Sequence, residues 1–468
     1  MSTDIDTLGD FLRSAGYFTA YKGKWHLTKE FETANTLDAP EKIFNKEMES
    51  YGFSDYFGIG DIIAHTQGGY LHDGMIAAAT VNWLRGRATE LAKQDQPWFA
   101  AVNFVNPHDI MFYNTDRPGE PVQEKHSVTH LARAPAHRAF SADWGCALPQ
   151  SFYQPIDQPG RPRAHADFLR ANDALVGPIP IEDDWRWHAH QNFYLNSLRE
   201  VDRHIETVLD ELDAVGMSSK TIVILTSDHG ELGGAHGMSG KGATTYREQN
   251  NVPLIVAHPG HPGGARCKAV TTHIDIAPTL VAMTDATAEK KAAITRDMLG
   301  RDFSHVLASP GTASVDAVRD GGLFCFNMFL TLDGEFVEKA TAMAREPGGK
   351  EKIKAGALRP DLTKRGAIRS VFDGRYTFSR YFSPKQHNLP YTLDEIFEYN
   401  DVELYDVQQD PNELDNLALD RRENADLIIK MNAKLNELIS AEVGEDIGQM
   451  LPGGVDAGWA VTEAVHDM

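Results

Sequence analysis

Residues 226–242 read TSDHGELGGAHGMSGKG and follow the apolar run TIVIL at 221–225. Asp228 and His229 are metal-ligand types side by side, and the glycine-rich loop after them delivers a lone Lys241. Such a pair, with an ammonium group within loop reach, suits an anion held beside a cation. Two similar groupings occur upstream. Lys24 and His26 follow the strand-like FTAY at 18–21, and Pro107 and His108 follow the apolar PWFAAVNF at 97–104. Ligands of open α/β sheets bind beyond the carboxyl ends of the strands. If these runs are strands of one sheet, Lys24, His26, His108, Asp228, His229 and Lys241 converge on one edge. Taken singly, each has a plainer account. Asp228 can cap a helix, His108, His229 and His236 can serve turns, and most lysines are solvated. Those accounts do not predict a shared edge; the grouped reading does.

Periodicity supplies the elements that must position these residues. Leu8, Phe11, Leu12 and Ala15 predict a helix over 6–16, stopped by Gly16, with little chain before it to pack against. Ile76, Thr80, Trp83, Leu84, Ala88 and Leu91 predict a second over 73–92. The run at 97–104 has the pattern of a strand covered on both faces. Residues 115–190, rich in Pro, His, Arg and aromatics, read as an irregular insertion. Within it Trp144, Trp185, Trp187, His188 and His190 are candidates for a lid. A helix is expected over 195–215, strands at TIVIL and VPLIV (252–256), and a strand end passing into a helix at 273–283.

Helices alternating with short apolar strands predict an α/β fold with a doubly wound, mainly parallel sheet between helices. Beyond residue 315 the pattern changes. LFCFNMFLTLDGEF and IRSVFDGRYTFSRYF each place Asp-Gly between strand-like runs, a hairpin signal. With a helix at about 422–441, this predicts a smaller antiparallel sheet plus helix, and a loose tail after 445. The expected division is 1–314 and 315–468.

The net charge of −22 opposes nucleic-acid or anionic-membrane partners, although a local cluster of cations can still hold a small anion. Cys146, Cys267 and Cys325 are far apart, odd in number and without CxxC spacing, which argues against a disulfide framework or a zinc site. No run reaches the roughly 20 apolar residues that span a bilayer. The start has no basic and apolar leader. The chain as it stands is therefore expected to be cytoplasmic.

TLGDFLRSAGYFTAYKGKWHL, TIVILTSDHGELGGAHGMSGKGATTYREQNNVPLIV, HIDIAPTLV and VELYDVQQDPNELDNLA together resemble the sulfatase family of the alkaline-phosphatase-like superfamily. The resemblance implies hydrolysis of a sulfuric ester, either a small-molecule or a carbohydrate sulfate. It makes Asp228 and His229 ligands of a divalent metal: calcium, with Mn2+ or Mg2+ as alternatives. It makes Lys24 and Lys241 the cations on the sulfate oxygens, His26 the group beside the nucleophile, and His108 the group near the leaving oxygen. It also implies an upstream strand with further acidic ligands and a Cys-or-Ser-X-Pro-X-Arg motif whose first residue becomes formylglycine. These 468 residues contain no such motif. The expectation is that Met1 lies inside a longer ancestral sequence and that this chain alone is inactive and poorly stable. A missing upstream segment would leave a periplasmic location open. A phosphonate or phosphate ester hydrolase of the same superfamily, or a non-catalytic anion-binding remnant, are the alternatives.

Overall fold

A computed structural model describes residues 2–27, 40–58 and 66–447. Strand β1 (Phe18–Gly23) is the middle of a parallel three-stranded sheet, between β2 (Ser54–Phe57) and β3 (Trp98–Asn103). Phe18 pairs with Trp98 and Gly23 with Asn103, so β1 and β3 end level. The residues that follow each strand therefore emerge on one edge. Lys24 is tied there by its N–H, which donates to the Asn103 carbonyl at 3.2 Å. Gly23 permits this closeness. Its φ is +110°, and a Cβ would meet the Asn103 oxygen at 1.9 Å.

Helix α1 (Leu8–Ser14) begins at a capping box, in which the Thr7 hydroxyl accepts from Gly9 N–H and Asp10 answers the Thr7 N–H. With little chain before it, this helix packs on residues that come later in the sequence. Leu12 is buried, and Gly9 lies backbone to backbone on Gly52, where a Cβ would meet a carbonyl at 2.6 Å. Helix α2 (Gly68–Trp83) continues through a π-turn at Leu84–Ala88 to Lys93, so the predicted 73–92 helix starts earlier than its apolar stripe.

The stretch 115–190 is not irregular throughout. Helix α3 (Arg163–Val176) starts directly after Pro162, and α4 (Asp184–Ala214) begins eleven residues before its predicted start. Pro at a helix entrance costs little. His165 and Phe168 line the buried face of α3, which a reading by composition hides.

Strands β4 (Val223–Thr226) and β5 (Leu254–Ala257) pair antiparallel, Val223 opposite Ala257. Val223 nevertheless packs in one cluster with Ala20, Trp98 and Ala100, so side-chain packing spans the step from the parallel sheet to this pair. The expected full burial of the 97–104 strand is corrected. Every position of β3 is half-buried, because among the described residues its only ladder partner is β1. Residues 273–283 hold a 3-10 turn (His273–Asp275) and helix α5 (Ile276–Ala282), without the strand end.

The C-terminal sheet is antiparallel, in the order β6 (Gly322–Phe326), β7 (Ala367–Phe372), β8 (Tyr376–Phe382), β9 (Asp401–Asp406). Asp373-Gly374 forms the predicted hairpin between β7 and β8. Asp333-Gly334 does not: Asp333 caps helix α6 (Gly334–Ala344), accepting from Phe336 N–H at 3.1 Å. Asp serves both turns and caps, and the residues after Gly334 are good helix formers. A short helix α7 (Gly349–Lys354) follows. Helix α8 (Ala425–Glu442) buries Ile428, Met431, Leu435 and Ile439 against Val371, Phe378 and Leu404.

A second cluster unites Leu232, Met238, Ala243 and Tyr246 with Phe168 of α3 and with Ile368, Tyr381 and Tyr405 of this sheet. The loop that carries Lys241 is thus clamped between a helix and a sheet far apart in sequence. Among the described residues no helix is long and apolar enough to cross a membrane. The predicted tail falls mostly outside the described residues.

Candidate functional site

The three strand ends meet. The charges acting on His108 are those of Lys24, Lys241, His229 and Asp228, and Lys24 and Asp228 also act on Lys241. Five of the six predicted residues therefore form one electrostatic group. The sixth, His26, is exposed and lies two residues beyond Lys24. The intervening Trp25 is buried, with its ring 5.2 Å from Tyr21 and 5.1 Å from Tyr51. It anchors the segment.

Each member is held by a separate device. His108 opens a 3-10 turn after β3, and its N–H donates to the Val105 carbonyl at 3.0 Å. Asp73 of α2 holds the backbone just before it, accepting from Val105 N–H at 2.7 Å and Asn106 N–H at 2.9 Å. The Asn106 amide donates in turn to Glu200 of α4 at 2.9 Å. Gly69 admits Asn106, since a Cβ would lie 2.2 Å from its side chain. Burial, with Asp109 and Glu200 nearby, raises the Asp73 carboxyl to about 7 despite those two backbone N–H groups.

The loop from Asp228 to Lys241 is closed by Glu231, whose Oε1 accepts from Gly233 N–H at 3.1 Å and Gly240 N–H at 2.6 Å. Glu248 supports it from below. Its carbonyl accepts from Glu231 N–H at 3.1 Å and lies 1.9 Å from where a Gly230 Cβ would be. His273 Nε2–H donates to the Ser227 carbonyl at 2.8 Å and so fixes the approach to Asp228. Asp275 serves the fold: Arg319 binds it bidentately at 2.6 and 2.9 Å.

The His229 imidazole has a defined tautomer. A carbonyl can only accept, so Nδ1–H donates to the Gly230 oxygen at 2.9 Å. In a neutral ring this leaves Nε2 with the lone pair, 3.5 Å from the Asp228 carboxylate. Two acceptors facing each other call for a cation or a proton between them. Asp228 is 85 % exposed and His229 37 %, so the pair opens outward. Burial holds the Lys241 ammonium below the ordinary lysine value, and Lys24 adds to that effect while Glu231 and Asp228 oppose it. Its Nζ contacts the Met111 sulfur at 3.7 Å. His108 is pushed down to about 3, first by burial and then by Lys24, Lys241 and His229. It is a neutral imidazole at ordinary pH.

The candidate lid divides. Trp187 and His190 are buried, and Trp187 Nε1–H donates to the Pro180 carbonyl at 3.0 Å. Trp185 and His188, with Cys146 beside Trp144, line a cavity of about 560 Å³ on the opposite side of α4. Asp73, Glu200 and Glu231 are the site residues that sequence reasoning missed. The only signal was that Glu231 stands inside the DHGELGG motif.

Comparison with known proteins bears on the fold and the family. A solved structure of BT4656 bound to its substrate D-glucosamine-2-N,6-O-disulfate superposes with a TM-score of 0.58, at 17 % identity, over 96 % of this chain and 85 % of that one. The phosphonate monoester hydrolase of Agrobacterium radiobacter gives 0.58 at 19 % identity, over 94 % and 81 %. The uncharacterized sulfatase YidJ of Escherichia coli is 28 % identical over 309 residues, 60 % of this chain and 52 % of that protein. The chain thus spans about half the length of that relative. The sulfatase profile matches residues 2–286, well over half of the sequence. By that match the chain belongs to the sulfatase family.

Proposed function

We propose that this site binds the sulfate group of a sulfate monoester, carried by a small molecule or a carbohydrate, for hydrolysis. The observation behind this reading is the convergence of Lys24, Lys241 and a neutral His108 beside the outward-facing Asp228–His229 pair. The two ammonium groups offset charge on the sulfuryl oxygens, and in a partly buried site they do so more strongly than in water. His108, neutral before the ester arrives, can donate one ring N–H to the ester oxygen. An anion between the lysines raises its basicity, because it cancels the charges that depress it.

Members of the family use a metal ion. Asp228 and His229 fit two of its ligand positions: a carboxylate and an imidazole lone pair 3.5 Å apart. Among the described residues no cluster of three or more such ligands exists. A hard divalent ion takes about six donors or more. When bound, it would add Lewis-acid charge beside the sulfate. Calcium is our assignment, with Mn2+ or Mg2+ as alternatives.

Calorimetric titration of inorganic sulfate and of phenyl sulfate into the chain tests the proposal. Saturable binding should fall by ~10-fold or more in Lys24→Ala and in Lys241→Ala, as for loss of a charge-assisted contact. Absence of binding, or binding indifferent to both substitutions, overturns it. The phosphonate monoester hydrolase fits the fold as well as the sulfated-glucosamine enzyme does, so fold does not separate the two substrates. Tighter binding of phenyl phosphonate than of phenyl sulfate would favour that second reading. Because no Cys-or-Ser-X-Pro-X-Arg sequence occurs in these residues, a third reading is anion binding without turnover. Release of phenol from phenyl sulfate by this chain would dismiss it.

A further inference from the structure

We propose that α7 and the turn leading into it form a landing surface for a sulfated polysaccharide whose ester then reaches Lys24 and Lys241. This rests on reading that site as a sulfate-ester pocket. Residues 345–365 hold seven Lys or Arg against three Asp or Glu, net +4 within a chain of net charge −22. The overall field repels a polyanion, so its approach needs a local reversal of sign.

Five of these cations are exposed: Arg345, Lys350, Lys352, Lys354 and Arg359. Lys364 and Arg365 are half-buried, and they pair with Asp167 and Asp333 in the first case and with Asp401 in the second. The Arg345 guanidinium donates to the carbonyls of His126 and Ser127, which orients it without cancelling its charge. Lys352 meets Glu346 only at 4.0 Å. Presentation is rigid. Gly348 takes φ +71°, and Gly349 packs so closely on the Met343 carbonyl that a Cβ would lie 1.7 Å away. Ile353 is buried and pins α7.

The surface has a defined relation to the pocket. Gly334, at the start of α6, rests on Asp167 of α3, and Phe168 of α3 lies under Gly242, next to Lys241. Packing contacts thus run from the loop beside Lys241 through α3 and α6 to α7. A monosaccharide sulfate engages the pocket alone. A longer sulfated chain engages both, and the second contact is then intramolecular.

The test uses fluorescein-labelled heparin oligosaccharides, a disaccharide and a long one, with anisotropy as the readout. Wild type is compared with the triple variant Lys350→Gln, Lys352→Gln, Lys354→Gln, and inorganic sulfate is titrated into both. Loss of three exposed charges should weaken the long oligosaccharide ~10-fold at about 50 mM salt and flatten the salt dependence by roughly two counterions. Disaccharide and sulfate affinities should not change, and retained sulfate binding reports an intact fold. Unchanged affinity for the long oligosaccharide with sulfate binding intact overturns the landing surface alone. Failure of wild type to bind sulfate overturns the pocket reading and this proposal with it. Equal affinity for single-stranded DNA of matched charge overturns the assignment to a sulfated glycan.

Discussion

Glu403 on β9 lies where the C-terminal sheet meets the loop that carries Lys241. Its carboxylate is fully buried and accepts from the hydroxyls of Tyr381 at 2.7 Å, Tyr405 at 2.8 Å and Tyr246 at 3.4 Å. Arg161 donates to His165 Nδ1 at 3.3 Å, so His165 Nε2–H faces the Tyr381 oxygen at 3.1 Å. The hydrogen bonds run one way, from Arg161 to Glu403. Tyr246 also stacks on His236 at 3.4 Å, joining this network to the glycine-rich loop. Burial raises the Glu403 carboxyl from 4.5 to about 7, against the tyrosines and Arg161, which favour the charged form. Between those values the folded chain keeps a proton that the unfolded chain has lost. Stability from this group is therefore complete below pH 4.5 and is lost as pH rises through 7. The shift corresponds to about 3 kcal/mol.

Glu403→Gln removes the titration while keeping a side chain of the same shape, and the hydroxyls can reverse to meet the amide. Relative to wild type, the variant should gain about 3 kcal/mol between pH 4.5 and pH 7.5, whatever constant offset the exchanged hydrogen bonds introduce. Urea unfolding followed by tryptophan fluorescence at half-unit pH steps measures this. The difference between proteins is decisive, because Asp73, Asp173 and Glu413 are raised in the same sense and steepen both curves. Parallel stability curves for the two proteins would refute the reasoning.

Three further outcomes are expected. Saturating sulfate should raise the His108 pKa, since the anion offsets the lysines that depress it; matching NMR titrations of its ring proton with and without sulfate would contradict this. Asp73→Asn turns an amide against one of the two backbone N–H groups it now accepts from, at a cost of about 1–3 kcal/mol in urea unfolding. If Asp73 acts on the site through His108, its effect on sulfate affinity should vanish in a His108→Ala background; additive losses would show otherwise. Gly242→Ala drives a Cβ to 2.3 Å from the Phe168 ring, and should destabilise the protein by about 1–3 kcal/mol and weaken sulfate binding. An unchanged melting temperature would contradict that account.

The legible parts were local. Helix α1, strands β1 and β4, the Asp373-Gly374 hairpin and helix α8 follow from apolar spacing and turn chemistry within about twenty residues. Helix α3 escaped because Pro, His and Arg dominate its surroundings, while the burial of His165 and Phe168 depends on a sheet two hundred residues later. Asp333-Gly334 went to a cap because an Asp side chain suits either end, and Asp167 and Lys364 decide between them. The half-buried β3 reflects a pairing partner, which no run of apolar residues declares.

Sequence alone supplied the inventory of charges, since residue types after strand-like runs are read directly from order: Lys24, His108, Asp228, His229 and Lys241. It also placed a net-positive segment in an acidic chain. Only the tertiary structure decided what these groups are. Burial set His108 neutral, a single carbonyl chose the His229 tautomer, and Asp73 and Glu231 fixed the loops. The reason is physical: a side chain carries its own charge, but the free energy of that charge depends on neighbours brought close by folding.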